Sequence, residues 1–509
     1  MVDPNQPSRP VDIRVSDDAL QKAEAYVEQE EGAHNKLRGA LGTFVTAVAV
    51  IMSVFHLYAA YGIMPTHVLR GIHVAFVLFL CFLLFPAAKR FRNRVRWWDW
   101  VAALLALVTI GYMLAGGDAF LERAISPDIW DEILGIALIV LVLEAARRSS
   151  GWIMPAICVG FLVYAMVGQF LPAPWTHYGM DVSRIVGHMY MTLEGIFGVP
   201  IDVSSSLIIL FTIYGAVLQF SGAGKFFIDF SFAAMGGKPT GAGRTVVLAS
   251  FLLGGPSGSG VATTVTLGTV AYPMLVKAGY GRDAAGGLLA AGGLGAILSP
   301  PVLGAAAFLI AQFLNISYLD VILMATIPTL LYYFALFLMV EIDARKFGMP
   351  NVVIEEHATI SALTRQYWFH FLSLVAIIVF LVMGFSATVA VFWATAVAFA
   401  LSFLHVDCAL IPYDVLRGRA PLGRGLWNSG MVKALEAGSV GVLSVAATCA
   451  AAGLIVGVVT LTGLGLKFSS IVLQYADGGS RSIYDGLVAL GAGATPALLH
   501  DIKLLLTPI

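Results

Sequence analysis

Apolar runs of about twenty residues recur along this chain, separated by short polar loops. A helix needs about that many residues to cross a hydrocarbon core roughly 30 Å thick. The runs fall at about 40–62, 68–87, 98–116, 130–146, 151–172, 203–222, 284–313, 319–341, 367–384, 386–405 and 439–461. This pattern predicts an all-α polytopic membrane protein of about eleven transmembrane helices, with the lipid bilayer as its solvent. Two further stretches, near 186–199 and 424–437, mix apolar residues with Arg184, Glu194, Arg424 and Lys433 and read as interfacial helices.

One apolar segment is too short on each side of its centre to span. Arg244 to Leu253 supplies about ten residues, a rise of roughly 15 Å, or half a bilayer. It then meets Gly254-Gly255-Pro256-Ser257-Gly258-Ser259-Gly260, after which a second run from Val261 to Val276 leads to Lys277. Arg244 at one end and Lys277 with Arg282 at the other put both ends on one side. The segment 244–277 is therefore expected to form a re-entrant helical hairpin with its tip near the membrane midplane. Non-helical backbone at that depth lines a cavity or is buried in protein. Gly255 and Gly258 let a ligand approach the backbone, and Ser257, Ser259, Thr263, Thr264 and Thr266 supply neutral oxygens. Such oxygens, with freed carbonyls, suit a hard cation such as Na⁺, while the helix start beyond the tip favours an anionic group. The competing reading is a Gly/Ser loop outside the membrane, which the flanking charges disfavour. No Gly-Lys-Ser/Thr follows the tip, so it is not a P-loop.

The next run, 284–313, is itself interrupted. It carries Gly286, Gly287, Gly292, Gly293 and Gly295, then Ser299-Pro300-Pro301 and Gly304. Two consecutive prolines remove donors and break a helix about halfway across. Gly293, Gly295, Ser299, Pro300 and Pro301 are thus the candidate ion-binding positions of a broken helix. Close helix packing is the alternative role for Gly286, Gly287 and Gly292. A short internal similarity, Ser221-Gly-Ala-Gly-Lys-Phe226 against Thr462-Gly-Leu-Gly-Leu-Lys-Phe468, lies at opposite ends of the expected topology, as an inverted repeat requires.

Charge orients the chain. Lys89, Arg90, Arg92, Arg94 and Arg96, then Arg147 with Arg148, then Arg345 with Lys346, all fall on one side, which is cytoplasmic by the positive-inside rule. The polar residues 1–35 lack a cleavable signal pattern and read as a cytoplasmic lead-in. Residues 36–148 form an aromatic-rich, four-span scaffold module, and 149–475 a glycine-rich permease module. Composition agrees: the 509 residues are 59% hydrophobic and 12% charged, against about a quarter charged in soluble domains. A basic footprint for nucleic acid is absent at a net charge of −1. The four cysteines show no CxxC spacing, and the ten histidines are dispersed without HExxH. Glu144 sits beside Arg147 and Arg148 as an ion-pair partner, and His188 with Glu194 is expected on a solvated face. Neither an enzyme nor a cofactor is suggested; Na⁺ as coupling ion is the one metal expected. The reading is a subunit of an ion-coupled secondary transporter for small organic anions.

Three segments resemble a known family. Ser257-Gly-Ser-Gly-Val-Ala-Thr-Thr-Val-Thr-Leu-Gly268, Pro300-Pro-Val-Leu-Gly-Ala-Ala-Ala-Phe308 and Tyr332-Tyr-Phe-Ala-Leu-Phe-Leu338 look like the fused membrane subunit of TRAP (tripartite ATP-independent periplasmic) transporters, in the branch served by TAXI-type receptors. The resemblance runs from about 36 to about 475. It implies a bacterial inner-membrane permease, Na⁺-driven uptake of C4-dicarboxylates or related organic acids, delivery by a periplasmic solute receptor, and an elevator movement of the hairpin-bearing domain against a scaffold. Another ion-coupled carrier of the same hairpin architecture is the alternative. Two departures stand out. Thr263 stands where the family commonly has Asn, and Gly292-Gly-Leu-Gly-Ala-Ile-Leu-Ser299 is poorer in side-chain oxygens than the family's Ser-Thr-Gly-Gly-Gln. Residues 476–509, with His500, Asp501 and Lys503, also do not read as a second hairpin, and the expectation is a truncated or divergent C-terminus with only part of the inverted repeat, inactive in transport by itself.

Overall fold

The computed structural model describes residues 35, 37–173, 175–235, 240–257, 260–346, 359–419, 421–470 and 472–473. Their regular structure is helical throughout, as the apolar periodicity requires. Four helices come first: α1 (Gly39–Tyr61), α2 (Thr66–Leu84), α3 (Trp97–Glu122) and α4 (Ile129–Ser150). Then follow α5 (Ile153–Val167), α6 (Val182–Met191), α7 (Val199–Phe220) and α8 (Ala223–Met235), with a π turn over Ser204–Ile208 inside α7. The hairpin is α9 (Gly241–Ser257) and α10 (Gly260–Lys277), and the broken run is α11 (Arg282–Ala296) and α12 (Ala305–Leu314). The chain continues through α13 (Tyr318–Lys346), α14 (Ile360–Tyr367), α15 (Phe369–Val382), α16 (Ala387–Leu401) and α17 (Gly430–Thr462).

Helices stand at every one of the expected spans, but fewer than eleven qualify as single crossings. Among the described residues, eight are long and apolar enough to cross a bilayer, and the α14–α15 pair, bent by 61°, makes nine. Of the other two, α4 carries charged residues near both ends, and 284–313 is split between α11 and α12. The interfacial assignments are corrected. Near 186–199 the helix is α6, whose Ile185, Val186, Met189 and Tyr190 are buried against α4 and α17, while Val182, Arg184, Leu193 and Glu194 are exposed. His188 is accordingly only 15% exposed and lies 3.1 Å from the Thr460 hydroxyl, so it is not on a solvated face. The stretch 424–437 is divided between a short helix, Leu422–Trp427, and the first turns of α17, which Ser429 caps by accepting from the Val432 amide.

Helix α17 is the central brace. Over its 33 residues it meets α1 at Ser53 and Ser439, α2 through Cys81 and Leu443, α4 at Ser150 and Thr448, α5 through Cys158 and Ala451, and α6 at His188 and Thr460. Gly438, Gly453 and Gly457 let it pass this closely: a Cβ on Gly438 would stand 2.7 Å from the Ile213 Cα. At one end of the first four helices, Arg148 pairs with Asp99 at 2.6 Å and with Glu144 at 2.8 Å, all within a turn or two of the basic loop after α2. Arg147 joins Glu144 at 2.7 Å, as the sequence suggested.

Apolar packing divides the molecule into two bodies. The main core takes in α1 to α7, the start of α8, α12, the start of α13, and α15 to α17. A separate core forms from the rest of α8 with α9, α10 and α11, through residues such as Phe232, Val246, Leu267, Leu275 and Leu289. Val247 of α9 extends it onto Tyr333, Leu336 and Val340 of α13.

Candidate functional site

The hairpin is longer than the sequence suggested. α9 runs through Gly254-Gly255-Pro256 to Ser257, 17 residues in all, and α10 begins at Gly260. Proline brings no amide to continue the helical ladder, and α9 ends one residue after it. Gly255 and Ser257 thus belong to the last helical turn, while Gly258 and Ser259 lie outside the described residues.

Glycine brings the hairpin onto the broken helix. A Cβ on Gly254 would stand 2.6 Å from the Ala296 Cα and 3.2 Å from the Ser299 Oγ. A Cβ on Gly260 would stand 2.8 Å from the Gly293 carbonyl oxygen. Gly293 is itself covered by the Thr264 hydroxyl and the Gly260 carbonyl, and Gly292 by the Ser250 hydroxyl, so neither position has room for a side chain. Gly286 and Gly287 face open space, so close packing does not explain them.

Ser299 sits at the centre of the contact, fully buried. Its hydroxyl donates to the Gly295 carbonyl at 2.9 Å, which leaves the Tyr333 hydroxyl, 3.1 Å away, to donate to it. Around it, the break is held by side chains of α13. Tyr332 donates to the Ala291 carbonyl at 2.7 Å, Thr329 to the Leu298 carbonyl at 2.6 Å, and Tyr318 to the Pro301 carbonyl at 3.1 Å. The Gly304 amide returns to the Ile297 carbonyl at 2.8 Å. The backbone turns across Pro300 and Pro301 just beyond it. A buried serine oxygen with a spare lone pair can serve a small cation.

Thr264 donates to the Gly260 carbonyl at 2.8 Å and lies against α11; Thr263 is buried on the adjacent face of α10. Thr266 is exposed and points away from this contact, so the structure does not bring it to the others. Ser250, Thr329, Tyr332 and Tyr333 were missed as site residues. Only the Tyr332-Tyr333 pair left a trace in the sequence, as part of the family resemblance. At the base of the hairpin, Arg244 pairs with Glu341 of α13, which also accepts from Thr240 at 2.7 Å, and the guanidinium lies 5.1 Å over the Phe337 ring. A cavity of about 280 Å³ between α9 and α13 is lined by Val247, Phe251, Leu330 and Phe334 among others, and offers apolar surface rather than ligands.

Over residues 137–488 the sequence matches the family described as Tripartite ATP-independent periplasmic transporter, DctM component. The chain belongs to this family. The TRAP match starts within α4 and takes in the hairpin, the break and α17. Among curated TRAP relatives, the chain is 34% identical over 109 residues to the 2,3-diketo-L-gulonate TRAP transporter large permease protein of Escherichia coli, covering 21% of this chain and 26% of that one. It is 29% identical over 149 residues to the C4-dicarboxylate TRAP transporter large permease protein of Pseudomonas aeruginosa, covering 29% and 34%. A putative TRAP large permease of Haemophilus influenzae matches at 29% over 91 residues, 18% and 23% of the two chains. The chain thus matches about a quarter to a third of the length of these relatives. All are permeases, and a TRAP permease is a multi-pass membrane transporter subunit rather than an enzyme.

Proposed function

We propose that this chain is the permease of a Na⁺-coupled TRAP symporter that takes up C4-dicarboxylates or related organic acids. The solute is handed over by a periplasmic receptor of the TAXI type, and the chain lies in a bacterial inner membrane with its N-terminus cytoplasmic. The observation that carries this reading is the Gly254–Ser299 contact. There the facing ends of the two hairpin helices dock against a broken helix, and the break presents a buried serine oxygen. Neutral oxygens at such a junction suit Na⁺, whose loss of water must be repaid by several ligands. The organic-acid substrate is supported by the names of two relatives, one a transporter of 2,3-diketo-L-gulonate and one of C4-dicarboxylates.

Proteoliposomes holding the chain and its receptor test this, with labelled succinate as probe. Uptake under an inward Na⁺ gradient that vanishes without receptor and does not follow a K⁺ gradient supports this reading, and it would overturn the expectation from the sequence that the chain is inactive by itself. Ser299→Ala is expected to raise the Na⁺ concentration for half-maximal uptake about tenfold, the factor worth roughly 1.4 kcal/mol. Equal uptake in Na⁺ and K⁺ overturns the coupling ion, and receptor-independent uptake overturns the delivery step.

A further inference from the structure

A second polar centre lies far along the chain from the hairpin, where α1 and α2 meet the π turn of α7. His56 and His73 are buried, 1% and 0% exposed, as is Ser204 at 0%. The three form a continuous chain. His56 Nδ1 lies 2.7 Å from the Met52 carbonyl oxygen, His73 Nδ1 lies 2.8 Å from His56 Nε2, and His73 Nε2 lies 3.0 Å from the Ser204 Oγ. Intramembrane histidines carry a presumption of function, and π turns recur at functional positions. The proposed Na⁺ site uses none of these residues.

The geometry fixes the protons. A carbonyl only accepts, so His56 Nδ1 carries hydrogen. With both rings neutral, His56 Nε2 accepts from His73 Nδ1–H, and His73 Nε2 accepts from the Ser204 hydroxyl. One added proton is equally well accommodated. It enters at the Ser204 oxygen as the serine's own hydrogen passes to His73 Nε2, and the His73 Nδ1 hydrogen passes to His56 Nε2. The chain has then gained one proton, the charge rests on His56, the His56–Met52 bond keeps its direction, and the His56–His73 and His73–Ser204 bonds persist with theirs reversed. Ser204 becomes the acceptor, and its hydroxyl hydrogen is free for a carbonyl of the preceding turn. A second proton has no place, because it would set two N–H groups against each other across 2.8 Å.

We propose that His56, His73 and Ser204 form a proton-binding site that holds one proton or none. A charged pair lies beside the Ser204 end of this chain of bonds. Asp202, two residues before Ser204, is 24% exposed and pairs at 2.9 Å with Arg70, one turn before His73 on α2. Arg70 also donates to the Phe197 carbonyl at 2.7 Å. Among the elements packed on α1 and α2, α16 and the helical part of α7 beyond the π turn bring no charged side chain. α17 brings Lys433, which is exposed, and Glu436, held by Thr46 at 2.7 Å almost three turns back along α1. α3 and α4 bring the Arg123–Asp131 and Asp99–Arg148–Glu144 clusters near their ends, with Asp118 and Glu122 exposed and Glu132 in the first turn of α4. The Asp202–Arg70 pair is therefore the charged pair nearest the site along α2 and α7, and it stands at the Ser204 end.

Nitrogen NMR on the chain in lipid, with ¹⁵N-labelled histidine, tests this without needing a variant. Among ten histidines, one imidazole-to-imidazole correlation through a hydrogen bond is expected. Acidification is expected to add one proton to that pair, with His56 Nε2 gaining hydrogen as His73 Nδ1 loses it. His56→Gln and His73→Gln are each expected to remove the correlation and one equivalent of proton uptake. A pair that stays neutral until the protein unfolds overturns the proposal. So does a pair in which both rings become charged, or a folded wild-type chain without the correlation.

Discussion

At the scale of single residues, glycines are not equivalent, and the sequence could not rank them. Gly293 and Gly286 occur seven residues apart on α11, two turns along the same helix. Only Gly293 is roofed by the Thr264 hydroxyl and the Gly260 carbonyl. Gly293→Ala is expected to lower thermal stability in detergent by about 1–3 kcal/mol, since backbone must move to admit the methyl group. Gly286→Ala is expected to be neutral or to stabilise by about 0.5–1 kcal/mol, because a helical glycine with free space gains from a Cβ. Equal unfolding temperatures for the two variants would remove the close docking of hairpin on break. The break itself was legible, since two prolines after a glycine-rich run leave few other structures. The groups that hold it were not. Tyr332, Tyr333 and Thr329 lie some thirty residues downstream, and nothing in an apolar helix reveals which hydroxyl reaches which carbonyl.

Among elements, hydropathy located helices well and packing poorly. The α6 segment looked amphipathic because Arg184 and Glu194 flank it, yet its apolar face is covered by protein rather than by lipid headgroups. An apolar surface has the same pattern whichever it meets. α17 shows the same limit: a span of ordinary length was expected, and the helix instead continues back to Gly430 and bridges most of the first seven helices. Its fit rests on small residues. Gly438→Val would drive a side chain into the Ile213 backbone and is expected to cost about 1–3 kcal/mol. Gly441→Ala, at a position with open space, serves as the control. A thermal melt in which both variants match the wild type would contradict the brace.

For the whole molecule, the fold supports the orientation argument in part. Asn35 donates to the Leu83 carbonyl at 2.9 Å and accepts from the Asn93 amide at 2.7 Å, and Arg147 reaches the Ala87 carbonyl at 2.9 Å. The first two basic clusters thus share one end. The loop through Tyr178 lies beyond the far end of α5, where Tyr178 is 98% exposed. All four native cysteines are buried. Arg94→Cys and Tyr178→Cys are therefore expected to react with an impermeant thiol reagent from opposite faces of sealed vesicles, Arg94→Cys from the cytoplasmic one. Reaction of both from one face would invert or void the topology. One feature of the two cores bears on how such a machine is jointed. The chain crosses between them within α8, again between Leu289 and Val302, a third time within α13, and returns between Val340 and Leu363. On one side of Pro300, Ser299 is tied to Tyr333; on the other, Pro301 is tied to Tyr318. Tyr318 belongs to the main core and Tyr333 to the hairpin's side, with Pro328 between them inside α13. The second and third of these joints thus contain proline, which removes a rung from the helical ladder. At those two links the hairpin body is tied to the rest by backbone less tightly braced than an unbroken helix.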